Sequence, residues 1–287
     1  MLFVVGTIPD PTVPVQDALA EVAGNVLTVG GRSLPPDRGT PALLAAAAIA
    51  CDFLGANPPH ALLVGDEGLG NGSRALYRHL TDILPGRHCD VLAFHYLQPD
   101  VDWHNKVLMA AQSMAGPPAL VADAGFMYAA KMSGYAGEYD LFTPDVGELA
   151  FLADEAAPHP FYTRGFILQD ENRVPELIER AYEHDNAARC LLVKGSVDRI
   201  ADRTGVLAEV FGPSVESMEA MGGTGDTVTG MACALMAAGI EASKAAYVAA
   251  QANRYAGEAA CPTPASQIGE LIPYIPQALA RAMGEIL

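Results

Sequence analysis

Short apolar runs alternate with longer helical patterns through the first two thirds of the chain, and this alternation restricts the fold more than any other feature. The runs are predicted strands, and several are continuously apolar, as expected of strands buried on both faces of a sheet. They cover Leu2–Val5, Val26–Val29, Ala61–Val64, Val91–Phe94, Ala119–Ala122, Asp140–Thr143 and Cys190–Val193. The segments between them predict helices over 41–54, 72–84, 102–115, 145–153 and 174–186. Such alternation favours a parallel sheet covered by helices.

The pattern becomes mostly helical after residue 226, with predicted helices over 227–238, 243–260 and 266–286. Residues 154–172 mix polar residues with Pro158, Pro160 and Gly165, which predicts a long surface loop rather than a domain boundary. A length of 287 residues allows one large domain or two small ones. We expect a single domain over residues 1–287, with a three-layer α/β/α architecture around a mainly parallel sheet.

Composition and charge narrow the classes of partner. The chain is 51% hydrophobic and carries a net charge of −17 without a basic patch, so we expect neither nucleic acid nor membrane as a partner. Its five cysteines form no Cys-x-x-Cys pair, which indicates a reducing compartment and argues against a zinc site. A secretory signal would require a basic residue near its start, but the first basic residue of this sequence is Arg32. We expect a cytoplasmic protein that acts on a small molecule, and a homo-oligomer is compatible with the sequence.

A glycine-rich turn precedes a strongly apolar helical segment. Residues 222–226 read Gly-Gly-Thr-Gly-Asp, and an apolar run follows to Gly239. Glycines let the backbone approach a ligand closely, and the N–H groups and dipole at a helix N-terminus bind phosphate. Asp226 places a carboxylate beside that phosphate, which suits phosphoryl transfer to a hydroxyl whose proton the carboxylate accepts. A turn with Asp226 as the helix N-cap is the other interpretation, and these five residues alone favour neither.

Other glycines and charged residues follow the predicted strands, where ligands gather in open α/β sheets. They include Gly30, Gly31, Gly39, Asp123, Asp145, Glu148, Lys194 and Gly195. Together they suit a phosphate-handling cleft. Each also has a purely structural interpretation: a turn for the glycine pair, a helix cap for Asp123, and a surface position for Lys194. Asp145 and Glu148 have capping-box spacing, and residues 68–72 read most simply as a flexible loop.

In order and spacing, these segments resemble the ribokinase-like kinases, and among them the ATP- or ADP-dependent NAD(P)H-hydrate dehydratases. The resemblance runs from about Val26 to the C-terminus. Its most specific motif is the turn at 222–226. Its other motifs are the glycine-rich strand and Ala-rich helix at 26–45, Leu-Val-Ala-Asp at 120–123, Thr-Pro-Asp-Val-Gly-Glu at 143–148, Leu-Val-Lys-Gly at 192–195 and the helix at 245–257.

The resemblance implies a reaction and a role for each motif. A hydroxyl on the hydrated nicotinamide ring would be phosphorylated, and phosphate would then leave to restore NADH or NADPH. Asp226 would be the base, and the amides of Gly223, Thr224 and Gly225 would stabilise the transferring group. The nucleotide would lie against Lys194, Gly195 and residues 222–225. The substrate would contact Gly31, Gly39, Asp123, Asp145 and Asp226. Asp145 and Glu148 would arrange Mg²⁺, which prefers carboxylates and retained waters.

Three positions depart from the family pattern on the substrate side. Asp145 stands where the family usually has His, Asn253 stands where His is common, and residues 94–99 read Phe-His-Tyr-Leu-Gln-Pro in place of a Gly-Pro-Gly-Leu-Gly loop. The sequence therefore leaves three hypotheses. The protein is an NAD(P)H-hydrate dehydratase, a kinase of the same fold for another small hydroxylated molecule such as a sugar or vitamin precursor, or a nucleotide-binding protein without catalysis.

Overall fold

A single mixed sheet forms the centre of the computed structural model, which describes residues 1–155 and 173–286. The strands in these ranges are β1 Leu2–Ile8, β2 Gln16–Ala23, β3 Val26–Val29, β4 Arg32–Leu34, β5 His60–Gly65, β6 Val91–His95, β7 Ala119–Ala122, β8 Leu141–Phe142, β9 Cys190–Val193, β10 Asp198–Asp202 and β11 Gly205–Val210. Most of the predicted loop over 154–172 lies outside the described residues, and the single domain over 1–287 stays a prediction.

The sheet has the order β11-β10-β9-β8-β7-β6-β1-β5-β2-β3-β4. Its six central strands, from β9 to β5, run parallel, and Val5 of β1 pairs with Leu62 of β5 on one side and with Phe94 of β6 on the other. Antiparallel strands complete both edges, with β2, β3 and β4 on one side and β10 and β11 on the other. The carboxyl ends of β6, β7, β8 and β9 therefore lie side by side.

Helices cover both faces of the sheet. In the described ranges they are α1 Gly39–Phe53, α2 Asn71–Ile83, α3 Val101–Gln112, α4 Gly125–Met132, α5 Val146–Ala153, α6 Val174–Glu183, α7 Thr224–Ala237, α8 Ala242–Ala260 and α9 Ile275–Ile286. On β1, Leu2 and Val4 point into a core shared with α1, α7, α8 and α9, whereas Phe3 and Val5 point into a core shared with α2 to α6. The predicted three-layer fold is confirmed.

Small residues bring α1 and α7 into close contact. A side chain on Gly230 of α7 would place its Cβ 2.3 Å from the backbone oxygen of Leu43 in α1, so only glycine fits there. The facing part of α1 is rich in buried alanine. This close packing sets the N-terminus of α1 beside the N-terminus of α7, at the edge where the central strands end.

The structure adds five elements that the sequence patterns do not predict, namely β2, β4, β10, β11 and α4. It also divides the predicted helix over 266–286 into two 3₁₀ turns, Ile268–Glu270 and Ile272–Tyr274, followed by α9. Pro273 and Pro276 explain the division, because proline lacks an N–H and is tolerated only in the first turn of a helix. Within the described ranges, each helix is too short or too polar to cross a bilayer.

Candidate active site

A cleft of about 520 Å³ opens where the parallel strands end and α7 begins. Residues at or just after the ends of four adjacent strands line it: His95, Asp123, Asp145 and Lys194. Asp226 completes the wall from the first turn of α7. A second cavity, of about 510 Å³, lies between α6 and the β10–β11 hairpin, at the end of the sheet where the parallel strands begin. The chemically active side chains converge only on the first of these two cavities.

Asp226 reaches away from its own helix. Gly223 is the N-cap residue of α7, with φ of 101°, and no side chain among the described residues caps this helix. The Asp226 carboxylate instead accepts the Gly39 N–H on Oδ2 at 2.5 Å and contacts His95 Nε2 through Oδ1 at 3.1 Å. The N-cap interpretation of Asp226 is therefore wrong. The side chain is 11% exposed and faces the cleft.

The surroundings of Asp226 favour its charged form. Burial alone raises the pKa of a carboxyl group, but the hydrogen bond from His95, the Lys194 ammonium and the Gly39 N–H together lower the pKa of Asp226 below its ordinary value. Asp226 is thus ionised at neutral pH. An ionised carboxylate at the cleft wall is able to accept a proton from a bound hydroxyl group.

The first turn of α7 presents backbone to the cleft, which Gly223, Thr224 and Gly225 line directly. The first N–H groups of a helix have no partner within the helix, so they are available to an anion. Asn253 of α8 holds this turn in place: it accepts the Thr227 hydroxyl at 2.7 Å and donates to the Thr224 carbonyl at 3.3 Å. Asn253 therefore stabilises the turn that forms the predicted phosphate site. Gly222 precedes the turn and is exposed.

Asp123 and Lys194 form a buried ion pair on the cleft floor. Lys194 Nζ lies 3.0 Å from each Asp123 oxygen, and the two side chains are 15% and 3% exposed, respectively. Thr229 of α7 also donates to Asp123 Oδ2, at 2.7 Å. Burial acts to lower the pKa of Lys194, but the carboxylates of Asp123, Glu148 and Asp226 outweigh it and raise that pKa. Lys194 is therefore a fixed positive charge rather than a surface lysine.

The turn after Lys194 is held by two residues that the sequence patterns do not identify. Arg254 of α8 donates to Asp198 Oδ2 at 2.8 Å and to the carbonyl groups of Gly195 and Ser196 at 3.1 and 2.8 Å. The Gly195 N–H in turn donates to Asp198 Oδ1 at 3.1 Å. This network fixes the Lys-Gly turn at the mouth of the cleft. Only the tertiary fold brings α8 to this turn.

Asp145 and Glu148 form a complete capping box at the start of α5. Asp145 Oδ1 accepts the Glu148 N–H at 2.7 Å, and Glu148 Oε2 accepts the Asp145 N–H at 2.8 Å. Both residues also line the cleft. Burial raises the pKa of Glu148, although the Lys194 ammonium opposes the shift. Each carboxylate keeps one oxygen outside the capping box. A role in holding Mg²⁺ stays a prediction.

The predicted substrate glycines lie in different places. Gly39 opens α1 with φ of 65° and donates its N–H to Asp226, so it belongs to the site. Gly31 lies in the turn between β3 and β4 and is not among the residues that line the cleft. The glycine-rich segment at 68–72 is a bonded turn rather than a loose loop, because the Asp66 carboxylate accepts the N–H groups of Gly68, Gly70 and Ser73.

His95 and Tyr96 were not assigned a role from the sequence, yet both line the cleft. His95 is fully buried at the end of β6. Tyr96 is 51% exposed and has φ of 53°, a strained conformation for a bulky residue, while its carbonyl accepts the Thr7 hydroxyl at 2.6 Å. His95, Asp123 and Asp226 are close enough together to hold a metal ion. Because the Lys194 ammonium already neutralises Asp123, we assign no metal to that cluster.

The fold is shared with solved ribokinase-like structures. A ribokinase-like superfamily protein from Enterococcus faecalis V583 aligns with a TM-score of 0.59 and 14% identity, over 98% of this chain and 87% of that chain. Phosphofructokinase-2 from Escherichia coli, in complex with substrates and products, aligns with a TM-score of 0.58 and 13% identity, over 98% of this chain and 99% of that chain. These likenesses define the class: the protein has the ribokinase-like fold.

Sequence comparison identifies the family within that class. The Carb_kinase family model, described as NAD(P)H-hydrate dehydratase, matches residues 99–277. The protein named "Uncharacterized protein MJ1337" from Methanocaldococcus jannaschii is 38% identical over 223 residues, which cover 77% of this chain and 91% of that protein. The chain therefore belongs to the NAD(P)H-hydrate dehydratase family, as its motifs predict. The matched segment contains Asp123, Lys194 and Asp226, whereas His95 and Tyr96 lie before it.

Proposed function

We propose that the protein transfers a phosphoryl group from ATP or ADP to a hydroxyl group of a small molecule. One observation carries the proposal: an ionised, cleft-facing carboxylate lies in the first turn of a helix whose backbone also lines the cleft. The cation that phosphoryl transfer needs nearby is supplied by Lys194 on the cleft floor. Membership in a nucleotide-dependent family agrees with this assignment.

The residues divide the work of the reaction among them. Asp226 accepts the proton of the acceptor hydroxyl as the hydroxyl oxygen attacks the terminal phosphorus of the nucleotide, and the bond from that phosphorus to the bridging oxygen breaks so that the shortened nucleotide leaves. The amides of Gly223, Thr224 and Gly225 stabilise charge on the transferring phosphoryl group, an interaction that is often the largest catalytic term. The nucleotide lies against Gly222 and the fixed Lys194–Gly195 turn. Lys194 is well suited to this position because it keeps its charge at all physiological pH values.

Space and ligand chemistry at the cleft fit the nucleotide and its metal. A Cβ on Gly225 would lie 3.3 Å from Lys194 Cδ, so the glycine keeps open the space between the helix and the ammonium. The outer oxygens of Asp145 and Glu148 are of the type that Mg²⁺ prefers, with waters completing its shell. Mg²⁺ bound there would neutralise charge on the nucleotide phosphates. The capping box already engages one oxygen of each carboxylate, and the remaining oxygens would hold Mg²⁺ through water.

Hydrated NADH or NADPH is the first acceptor that we propose, because the family match covers the phosphate-handling residues. Phosphorylation of the ring hydroxyl, followed by loss of phosphate, would restore the reduced nicotinamide. A second acceptor class is another small hydroxylated molecule, such as a sugar or a vitamin precursor. The specific observation that favours it is the strand end at His95 and Tyr96, where a buried imidazole and a half-exposed phenol replace a glycine-rich loop.

The proposal is tested by phosphate transfer with ATP and with ADP across hydrated NADH, hydrated NADPH and a panel of sugars and vitamin precursors. Repair activity gives recovery of NADH absorbance together with free phosphate, whereas kinase activity gives a stable phosphorylated product. Either result supports phosphoryl transfer, and the two distinguish the acceptor classes. Tight nucleotide binding without turnover on any acceptor would contradict the proposal and would indicate a binding protein.

A further inference from the structure

His95 makes two hydrogen bonds, one from each ring nitrogen. Its Nε2 lies 3.1 Å from Asp226 Oδ1, and its Nδ1 lies 3.0 Å from the hydroxyl of Thr40 in α1. His95 and Thr40 are both fully buried. An ionised carboxylate has no proton to donate, so Nε2 carries the hydrogen in its bond to Asp226. Nδ1 then pairs with the Thr40 hydroxyl, and the network assigns a hydrogen to Nε2 of His95.

We propose that His95 is a positioning residue of the phosphoryl-transfer site, which orients the Asp226 carboxylate toward the acceptor hydroxyl. The inference rests on the proposed function. The two oxygens of Asp226 are held from two directions, with Oδ1 bonded to the imidazole on β6 and Oδ2 bonded to the Gly39 N–H on α1. Two donors on separate, rigid elements fix both the position and the rotation of the carboxylate. Thr40 fixes the imidazole in the same way, one step further from the reaction.

Other charged or titratable groups lie near Asp226 and His95. Lys194 follows β9, Asp123 follows β7, and Tyr96 follows His95 itself. His95 Nε2 is 3.9 Å from Asp123 Oδ2, so its N–H lies between two carboxylates that would otherwise face each other. Without the imidazole, Asp226 would lose one of its two donors on the protein side. Its carboxylate would then be able to rotate, and its pKa would rise because the hydrogen bond from His95 that helps to lower it would be lost.

The same arrangement predicts how kinetics respond to His95 variants. His95→Ala should lower kcat by about 10²-fold, because small misplacements of a catalytic group have effects of that size. KM for the nucleotide should change little, and the acidic limb of the kcat–pH profile should move to higher pH. His95→Gln should restore most of kcat and the wild-type acidic limb, because its side-chain N–H is able to reach the position of Nε2.

His104 provides a matched control. It is also a fully buried histidine, and its Nε2 lies 2.9 Å from the Tyr139 hydroxyl, but it sits on α3 in the opposite helical layer. His104→Gln should lower the melting temperature while leaving kcat and the acidic limb unchanged. If the changes in kcat and in the acidic limb came only from the loss of a buried histidine, the His104 variant would show them as well. If they come from the positioning of Asp226, only the His95 variants should show them.

Spectroscopy tests the geometry without turnover. In ¹⁵N-histidine NMR spectra of the full chain at neutral pH, the resonance lost in His95→Gln should have the Nε2–H pattern. Asp226→Asn should shift it, and His104→Gln should not. The Nδ1–H tautomer, or no response to Asp226→Asn, would overturn the inference. This readout also decides the case in which His95→Ala does not fold.

Kinetics separate failure of the inference from failure of the proposed function. Loss of kcat in Asp226→Asn, with wild-type kcat and acidic limb in both His95 variants, would overturn the role of His95 alone. Wild-type kcat in Asp226→Asn would overturn the proposed function itself. Loss of kcat in Asp226→Asn and His95→Ala, with recovery in His95→Gln, supports both.

Discussion

Replacement of Lys194 by methionine is expected to destabilise the fold by about 3 kcal/mol, the lower end of the range measured when one partner of a buried ion pair is removed. Lys194 Nζ lies 3.0 Å from both oxygens of Asp123, whose side chain is only 3% exposed. The variant would leave that carboxylate buried without its counter-ion. We expect the lower end because Asp123 keeps hydrogen bonds from the Thr229 hydroxyl and the Ala124 N–H.

A double-mutant cycle measures the pair itself. Urea unfolding of Lys194→Met, Asp123→Asn and the double variant should show that the two losses are not additive. The double variant should be more stable than the sum predicts by about 1–3 kcal/mol, because it leaves neither charge unpaired. A surface control, Arg189→Met, removes the cation of an ion pair in which the arginine is 63% exposed, and should cost less than about 1 kcal/mol.

The pH dependence has a defined sign. Since neighbouring carboxylates raise the pKa of Lys194, its contribution to stability is fully present below the ordinary lysine value of about 10.4 and is lost only as pH rises through the higher folded value. The deficit of Lys194→Met should therefore persist through neutral and mildly alkaline pH. Additive losses, or a cost no larger than that of Arg189→Met, would refute the ion-pair account.

Two further variants probe the cleft wall. Gly225→Val should abolish phosphoryl transfer while the circular dichroism spectrum stays native, because its Cβ would lie 3.3 Å from Lys194 Cδ and its branches would fill the phosphate space. Gly230→Ala on the same helix should instead unfold the protein, since its Cβ would lie 2.3 Å from the Leu43 carbonyl oxygen. Turnover by a folded Gly225→Val variant would contradict the assignment of the phosphate site. Tyr96→Asn relieves a positive φ and should keep or raise the melting temperature while lowering kcat/KM; a lower melting temperature with unchanged kcat/KM would show that Tyr96 serves only the fold.

Much of the fold is predictable because the central strands are apolar on both faces. The predicted bounds of Val26–Val29, Ala119–Ala122 and Cys190–Val193 agree with the structure. The antiparallel strands Gln16–Ala23 and Asp198–Asp202 were missed because polar residues interrupt their sequences, so neither forms an apolar run. Helix α4 was missed because it has only eight residues and no side-chain N-cap.

The site is predictable in part for a topological reason. Asp123, Asp145 and Lys194 each follow a parallel strand, and such strands end at one edge of the sheet, so their convergence follows from the pattern. The contacts of His95 and Arg254 do not. The bond between His95 and Asp226 spans 131 residues, and that between Arg254 and Asp198 spans 56. Local spacing carries no signal for such pairs, because they depend on how helices pack on the sheet.

Single-turnover measurement of Asp226→Asn tests the central claim most directly. We expect the single-turnover rate constant to fall by about 10²–10⁴-fold, the usual contribution of a positioned base, with little change in nucleotide affinity. A modest loss of stability, about 1–3 kcal/mol, should accompany it, because the amide cannot accept from both the Gly39 N–H and His95. The assay is therefore run where circular dichroism shows the variant fully folded. Wild-type turnover by the folded variant would contradict the assignment of Asp226 as the base.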